Sequence, residues 1–241
     1  MKKLSIIIPA FNEASFITKV LNQVLSIPTE SVGYIKEVIV VDDGSIDDTF
    51  ELASNFSGIK VFQQSNQGKG SAVQFGVAQA TGDLILVQDA DLEYEPTDYL
   101  PMLKATDGMD DVAVYGSRIK GVIRDHGWKW PFPGRHPSQG LGPWLANILI
   151  STVTMFFYGR FITDMLTAYK LYPAKVVQDM KIRTCGFEAD HELTAKLIKL
   201  GIKINEVPIS YTPRSVSEGK KIRARDGLIA IWTLLRFRIV D

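Results

Sequence analysis

The chain has 241 residues, 46% of them hydrophobic and 22% charged, which excludes a disordered polypeptide and suffices for one large core. Lys plus Arg and Asp plus Glu each total 27, so the formal net charge is zero; this argues against a dedicated nucleic-acid binder, which carries a basic excess. The one cysteine, Cys185, cannot form an internal disulfide and has no metal-site spacing around it, so it reads as a small packed residue in a reducing compartment.

Lys2 and Lys3 ahead of an apolar run at 4–8 imitate a signal peptide. The run is too short, and no small-residue cleavage site follows Pro9, so a buried strand is expected. Helical spacing through Phe16, Val20, Leu21 and Val24 marks a helix over 13–25. A β-branched run at 37–41 ends abruptly in Asp42-Asp43-Gly44-Ser45. A helix at 47–56, a short strand at 59–62 and a helix at 71–80 lead to a strand at 83–88 that stops at Asp89-Ala90-Asp91. A helix at 98–105 precedes a strand at 112–116. Near-continuous apolar strands between amphipathic helices indicate a parallel sheet covered on both faces, whose C-terminal strand ends share the ligand-binding edge.

The second half is less regular. A Gly/Pro/Trp-rich loop at 121–143 precedes a helix inside a charge-free stretch, 137–159. Its apolar residues Trp144, Leu145, Ile148, Leu149, Val153, Phe156 and Phe157 are expected to face the core or a membrane surface, with Asn147, Ser151 and Thr154 elsewhere. No transmembrane helix is expected. A strand at 168–172, a helix at 188–200 capped by Gly201, a strand at 204–211, a basic loop at 212–225 and a last amphipathic helix complete one continuous domain, 1–241.

The acids at strand ends carry the functional signal. An isolated Asp-x-Asp is an ordinary pair of turn acids, but Asp89 and Asp91 share their edge with Asp42 and Asp43, and such carboxylates repel unless a cation or hydrogen-bond donors stabilise them. Their spacing suits a divalent ion completed by phosphate oxygens. Asn66-Gln67-Gly68-Lys69-Gly70-Ser71 is neither a Walker motif nor a dinucleotide fingerprint, yet two glycines and a lysine at a helix start offer free N–H groups and a charge. Arg118 is placed to meet a phosphate or an acid, and Arg214 and Lys220 are candidate clamps on an anion. The histidines 126, 136 and 191 show no ligand spacing.

Together, Ile7-Ile8-Pro9-Ala10-Phe11-Asn12-Glu13, Val40-Val41-Asp42-Asp43-Gly44-Ser45, Gly68-Lys69-Gly70-Ser71-Ala72, Asp89-Ala90-Asp91-Leu92, Gly116-Ser117-Arg118, Asp164 with Thr167-Ala168-Tyr169-Lys170, Gly186-Phe187-Glu188 and Arg214 with Glu218-Gly219-Lys220-Lys221 resemble the inverting family-2 glycosyltransferases, most nearly the dolichol- or polyprenol-phosphate hexose synthases. The resemblance implies an α/β GT-A fold, a mostly parallel sheet flanked by helices, with a nucleotide-sugar half at 1–118 and an acceptor half at 119–241. It implies that Pro9, Phe11, Glu13, Val41 and Asp43 hold base and ribose, with Lys69 and Ala90 also at the nucleotide-sugar. Asp89 and Asp91 would bind Mg²⁺ or Mn²⁺, with Glu93 as a third ligand standing where the synthases often have Gln. Asp91, Arg118, Asp190, Arg214 and Lys220 form the expected catalytic set.

The metal and Arg118 would stabilise the leaving diphosphate. A lipid phosphate acceptor needs no base, and Arg214 and Lys220 would position it. A glycan hydroxyl would need Asp190 as base, with Asp164 behind it. The remaining alternative is a non-catalytic nucleotide-sugar-binding module. A sugar nucleotidyltransferase is disfavoured because no Gly-rich, Arg-containing loop follows the first strand. A GDP- or UDP-hexose donor, a lipid-phosphate acceptor, no nucleic acid, and a cytoplasmic protein with peripheral membrane contact and room for a membrane-protein partner are the resulting expectations.

Overall fold

The computed structural model describes residues 1–109, 111–213 and 224–240. Among the described residues, β1 (Lys2–Ala10), β2 (Tyr34–Asp42), β3 (Lys60–Gln63), β4 (Leu84–Val87), β5 (Val112–Ser117), β6 (Lys170–Pro173) and β7 (Lys203–Pro208) form one sheet in the order β3-β2-β1-β4-β6-β5-β7. β1 pairs in parallel with β2 and β4, β2 with β3, and β5 with β7. β6 is antiparallel to both β4 and β5. Two successive reversals restore the direction, so β5 and β7 run with β1 to β4. The start of β6 therefore lies at the edge where the other strands end.

The helices are α1 (Ile17–Ser26), α2 (Thr49–Ser54), α3 (Lys69–Gln79), α4 (Tyr99–Lys104), α5 (Arg118–His126), α6 (Leu141–Tyr158), α7 (Ala174–Asp179), α8 (Ala189–Lys199) and α9 (Ala224–Ile239). Strand alternation divides β1 between two cores: Ile6 and Ile8 pack with Val20, Leu21 and Val24 of α1, and Ile7 packs with Ala72 of α3. Ile17, Val20, Leu21 and Val24 are buried at helical spacing. α1 stops where Ile27, extended at ψ 125°, precedes Pro28, a position that disfavours helix. α4 adds Met102 and Leu103 to the first core, while α6, α8 and α9 cover the second through Ile150, Leu193, Leu197, Leu234 and Phe237.

The mostly parallel, helix-flanked architecture is the expected one. Three local readings are corrected. The expected loop at 121–143 opens inside α5, which starts where Ser117 Oγ accepts the Lys120 N–H in a 3.1 Å cap. Cys185 is exposed rather than packed; its backbone, not its thiol, is the packed part. α6 is rotated relative to its apolar stripe: Asn147, Ile150, Ser151 and Thr154 are buried, whereas Leu145 and Leu149 are about half exposed and Phe156 is 80% exposed. On the inward side Asn147 and Thr154 have partners, whereas the Ser151 hydroxyl is buried without a hydrogen-bond partner among the described residues. Asn147 donates to Thr163 O at 2.7 Å and accepts from Met165 N at 2.9 Å, and Thr154 donates to Ile150 O. By length and composition α6 is apolar enough to cross a membrane. α9 likewise docks through Ala230, Thr233, Leu234 and Phe237 and leaves Leu228 and Trp232 outside.

Candidate active site

The end of β1 is joined to the end of β2 by Asp43 N–H donating to Ala10 O at 2.8 Å. Asp42, fully buried, organises the following turn: it accepts from Ser45 N, Ser45 Oγ and Gln63 Nε2. Asn12, at φ 54°, donates its N–H to Ser45 Oγ at 2.9 Å and accepts Ile46 N at 3.0 Å, clasping the two turns. Glu13 is buried, with its N–H on Thr49 Oγ1 at 2.9 Å.

Asp43, also buried, reaches across to the Gly68-Lys69-Gly70 turn. Its Oδ1 accepts Gln67 N at 3.0 Å and Gln64 Nε2 at 2.7 Å, and its Oδ2 accepts Gly68 N at 2.8 Å. Gly68 sits at φ 96°, and a Cβ there would lie 2.8 Å from Cys185 O. A Cβ on Gly70 would lie 2.6 Å from Gly186 O, so this turn needs glycine for close backbone packing as well as for conformation. Ser71 N–H closes the contact on Cys185 O at 3.0 Å. Lys69 is thereby held over the end of β4, with Nζ 2.5 Å from Asp89 Oδ1 and 5.7 Å from the Phe187 ring centroid. Burial works against the Lys69 charge, but Asp89, Asp190 and Asp91 outweigh it and raise its pKa.

After Asp89, the chain turns sharply. Asp91 Oδ1 accepts Glu93 N at 3.2 Å, and Leu92 takes φ 60°, a left-handed conformation unfavourable for a branched side chain. Glu93 then joins the segment after β7: its Oε2 accepts Tyr211 Oη at 3.0 Å and its O accepts Thr212 N at 2.8 Å. Tyr94 and Tyr211 form an isolated antiparallel bridge.

The reversed strand β6 places a further ion pair at this edge. The loop before it carries Asp164, 1% exposed, to the start of α5. There Asp164 accepts Arg118 N and Nε on Oδ2, at 2.9 and 2.7 Å, and Arg118 Nη2 on Oδ1 at 2.8 Å. The guanidinium also lies 4.9 Å from the Tyr211 ring centroid. Burial disfavours its charge, yet Asp164 overrides this and holds its pKa well above the usual arginine range. Asp164 thus anchors Arg118.

Asp190 lies in the first turn of α8. Its Oδ2 accepts the ammonium of Lys170, a side chain with no exposed surface, and its Oδ1 accepts Tyr172 Oη at 3.1 Å. Lys170 also lies 4.9 Å from the Tyr115 ring centroid. Of the other acids near it, Glu192 turns inward to Arg183 N, Thr184 and Lys196, and Glu188 accepts Gly186 N.

The structure therefore brings Asp43, Lys69, Asp89, Asp91, Arg118 and Asp190 to one edge, with Pro9, Phe11 and Glu13 at the end of β1. Val41 and Ala90 are core residues, so only their main chain can meet a ligand. Glu93 is bonded to Tyr211, and among the described residues no three acid, His or Cys side chains are gathered around a potential metal. Arg214 and Lys220 lie outside the described residues. Lys170 was missed from sequence: a lysine inside a strand reads as a solvated side chain, and no local pattern announces that an acid of another helix neutralises it.

The family model for glycosyl transferase family 2 matches residues 5–167, from β1 to the loop carrying Asp164. Glycosyltransferase AglJ of Haloferax volcanii is 31% identical over 234 residues, covering 96% of this chain and 70% of that protein. A dolichol-phosphate mannosyltransferase of Pyrococcus furiosus is 28% identical over 222 residues, 90% of this chain; the chain spans 59% of that protein's length. Glucosyl-3-phosphoglycerate synthase of Mycobacterium tuberculosis, solved with Mn²⁺, UDP and phosphoglyceric acid, shares the fold at a TM-score of 0.69 and 21% identity, over 100% of this chain and 80% of that one. The matched stretch holds the same strand ends and turns that build the edge described above, and the chain accordingly belongs to glycosyl transferase family 2 and is a glycosyltransferase.

Proposed function

We propose that the chain transfers a hexose from a GDP- or UDP-sugar to a polyprenyl or dolichyl phosphate, with inversion and with Mg²⁺ or Mn²⁺. Asp89 and Asp91 fit such a cation: both offer hard oxygen donors on one short turn, and Asp89 already rests on a positive charge. With two acids rather than an enclosing set, they leave coordination positions for diphosphate oxygens. The mycobacterial synthase of the same fold holds Mn²⁺ together with UDP. When bound, the cation supplies electrostatic stabilisation of the leaving diphosphate. Asp43 fixes the turn that presents Lys69 to this region, and the strand ends at Pro9, Phe11 and Glu13 border the base and ribose. Asp164 orients Arg118 through Nε and Nη2, the guanidinium lies against Tyr211, and we assign its remaining N–H groups to a phosphate. We assign residues 1–118 to the donor and 119–241 to the acceptor, with Arg214 and Lys220 as acceptor clamps.

The observation that carries the lipid acceptor is the orientation of α6. Its inward Asn147 holds Thr163 and Met165, on either side of Asp164, while Leu145, Leu149 and Phe156 point outward. An apolar surface thus adjoins the loop that positions Arg118, as a peripheral, membrane-apposed transferase at a cytoplasmic face requires. The Pyrococcus relative, a dolichol-phosphate mannosyltransferase, supports this acceptor. A second reading, transfer to a glycan hydroxyl, takes Asp190 as the base: its side chain is 37% exposed at the same edge, and it would have to act while paired with Lys170 and Tyr172. Labelled GDP-mannose and UDP-glucose, each with Mn²⁺, should place sugar in a lipid extract only when polyprenyl phosphate is added. Label in water-soluble glycan alone would replace the first reading by the second, and no transfer with any donor would reject both.

A further inference from the structure

Resting on the metal reading above, we propose that Lys69 is the resident counter-ion of the Asp89–Asp91 site and must leave it for metal to bind, which makes metal and nucleotide diphosphate bind cooperatively. The ammonium stands 2.5 Å from Asp89 Oδ1, with the two side chains only 28% and 19% exposed. A divalent cation approaches carboxylate oxygen at about 2.0–2.6 Å, so a metal on Asp89 would stand within about 5 Å of the ammonium, where the two like charges repel in a partly desolvated place and favour departure of the side chain that can rotate away. Asp91 and Asp190 also act on the Lys69 charge.

The backbone at Lys69 cannot retreat. Asp43 holds the Gly68 N–H, and Gly70 is packed against Gly186 with no room for a Cβ. The four-carbon side chain can rotate, and the displacement is therefore confined to it. Without a phosphate, a displaced ammonium would be left beside the incoming dication, in a partly desolvated place and without its carboxylate. With a diphosphate present, the same ammonium gains phosphate oxygens, which lysine binds as a point charge. The first ligand therefore lowers the cost of admitting the second, and linkage makes that effect reciprocal.

The experiment follows free Mn²⁺ by its electron paramagnetic resonance signal in titrations of the protein, alone and with UDP, GDP or inorganic diphosphate. Wild type should bind Mn²⁺ weakly alone and at least about tenfold more tightly with the favoured nucleotide. Lys69→Met should tighten binding of Mn²⁺ alone about tenfold and reduce the nucleotide's enhancement by a similar factor. Lys69→Arg, which keeps the charge, should keep the weak metal-only binding and so separates charge from side-chain loss; melting curves confirm that each variant is folded. Metal-only affinity of Lys69→Met within about twofold of wild type, or weaker, overturns the proposal while leaving the metal site standing. Wild type that binds no Mn²⁺ under any of these conditions overturns the metal reading and this inference with it.

Discussion

Removing Asp164 tests whether this carboxylate is what holds Arg118 in place. Asp164 is 1% exposed and receives three hydrogen bonds from Arg118, two of them from a guanidinium that is itself 19% exposed. Asp164→Ala leaves that cation without its partner. Breaking a buried pair by removing one member costs about 3–5 kcal/mol; the residual exposure of Arg118 places the expected loss near the lower end, at about 3 kcal/mol. For a chain of this length that is a fall of roughly 6–12 °C in melting temperature. Arg118→Met alone leaves a carboxylate with the Arg118 main-chain N–H still bonded to it. The double variant removes both charges and should recover about 2 kcal/mol of the summed single losses. Urea unfolding of wild type, both single variants and the double variant completes the cycle. A coupling below about 0.5 kcal/mol, or a single loss of Asp164 costing less than about 1 kcal/mol, would refute the assignment of Asp164 as the anchor.

Three other consequences can be read from stability. Asp190→Leu strands the fully buried Lys170 ammonium and should cost about 3–5 kcal/mol, whereas Lys170→Met leaves a carboxylate 37% exposed and should cost about 1 kcal/mol; the reverse order in chemical denaturation would contradict the pairing. Gly70→Ala drives a Cβ to 2.6 Å from Gly186 O and should cost about 2 kcal/mol or more, while Gly142→Ala, which meets nothing within 4 Å, should change stability by less than about 1 kcal/mol. His191 is held down to about 4 by burial and by Lys170, so it stays neutral in the fold while the unfolded chain protonates near 6.5. Its contribution is present above pH 6.5 and lost as pH falls toward 4. Asp98, pushed up to about 6 by burial, has the opposite sign: its contribution is present below about 4 and lost as pH rises through 6. Urea melts at pH 5 and 7 should show wild type gaining about 2 kcal/mol on His191→Leu between the two, because Asp98 is common to both proteins; equal gaps at both pH values would show that His191 does not titrate this way.

How far the sequence spoke depended on whether the physics was local. The runs at 4–8, 37–41 and 83–88 could only be buried strands, and acids at their ends had to share an edge once the sheet was parallel. Asp43, Asp89 and Asp91 were legible for that reason. The direction of β6 was not, because one short apolar segment carries no signal of its polarity. That reversal brings Asp164 to Arg118 and Lys170 to Asp190. The face of α6 was misread because an apolar stripe normally marks the buried side. Here the backbone of the loop at 163–166 needs partners, and Asn147 supplies them from within the fold. Lys69 was expected at a phosphate. Its place beside Asp89 follows from the glycine contacts with Gly186 and Cys185, which no spacing in the sequence reveals.

On the reading proposed above, the Asp89–Asp91 turn binds nucleotide diphosphate through a divalent cation. Calorimetric titration of UDP and GDP into wild type and Asp91→Asn, with Mn²⁺ and with excess chelator, tests it most directly. Wild type should bind its favoured nucleotide at least about tenfold more tightly with Mn²⁺, and Asp91→Asn should lose that difference while remaining folded. Equal affinity of wild type with Mn²⁺ and with chelator, or an undiminished metal effect in Asp91→Asn, would contradict it.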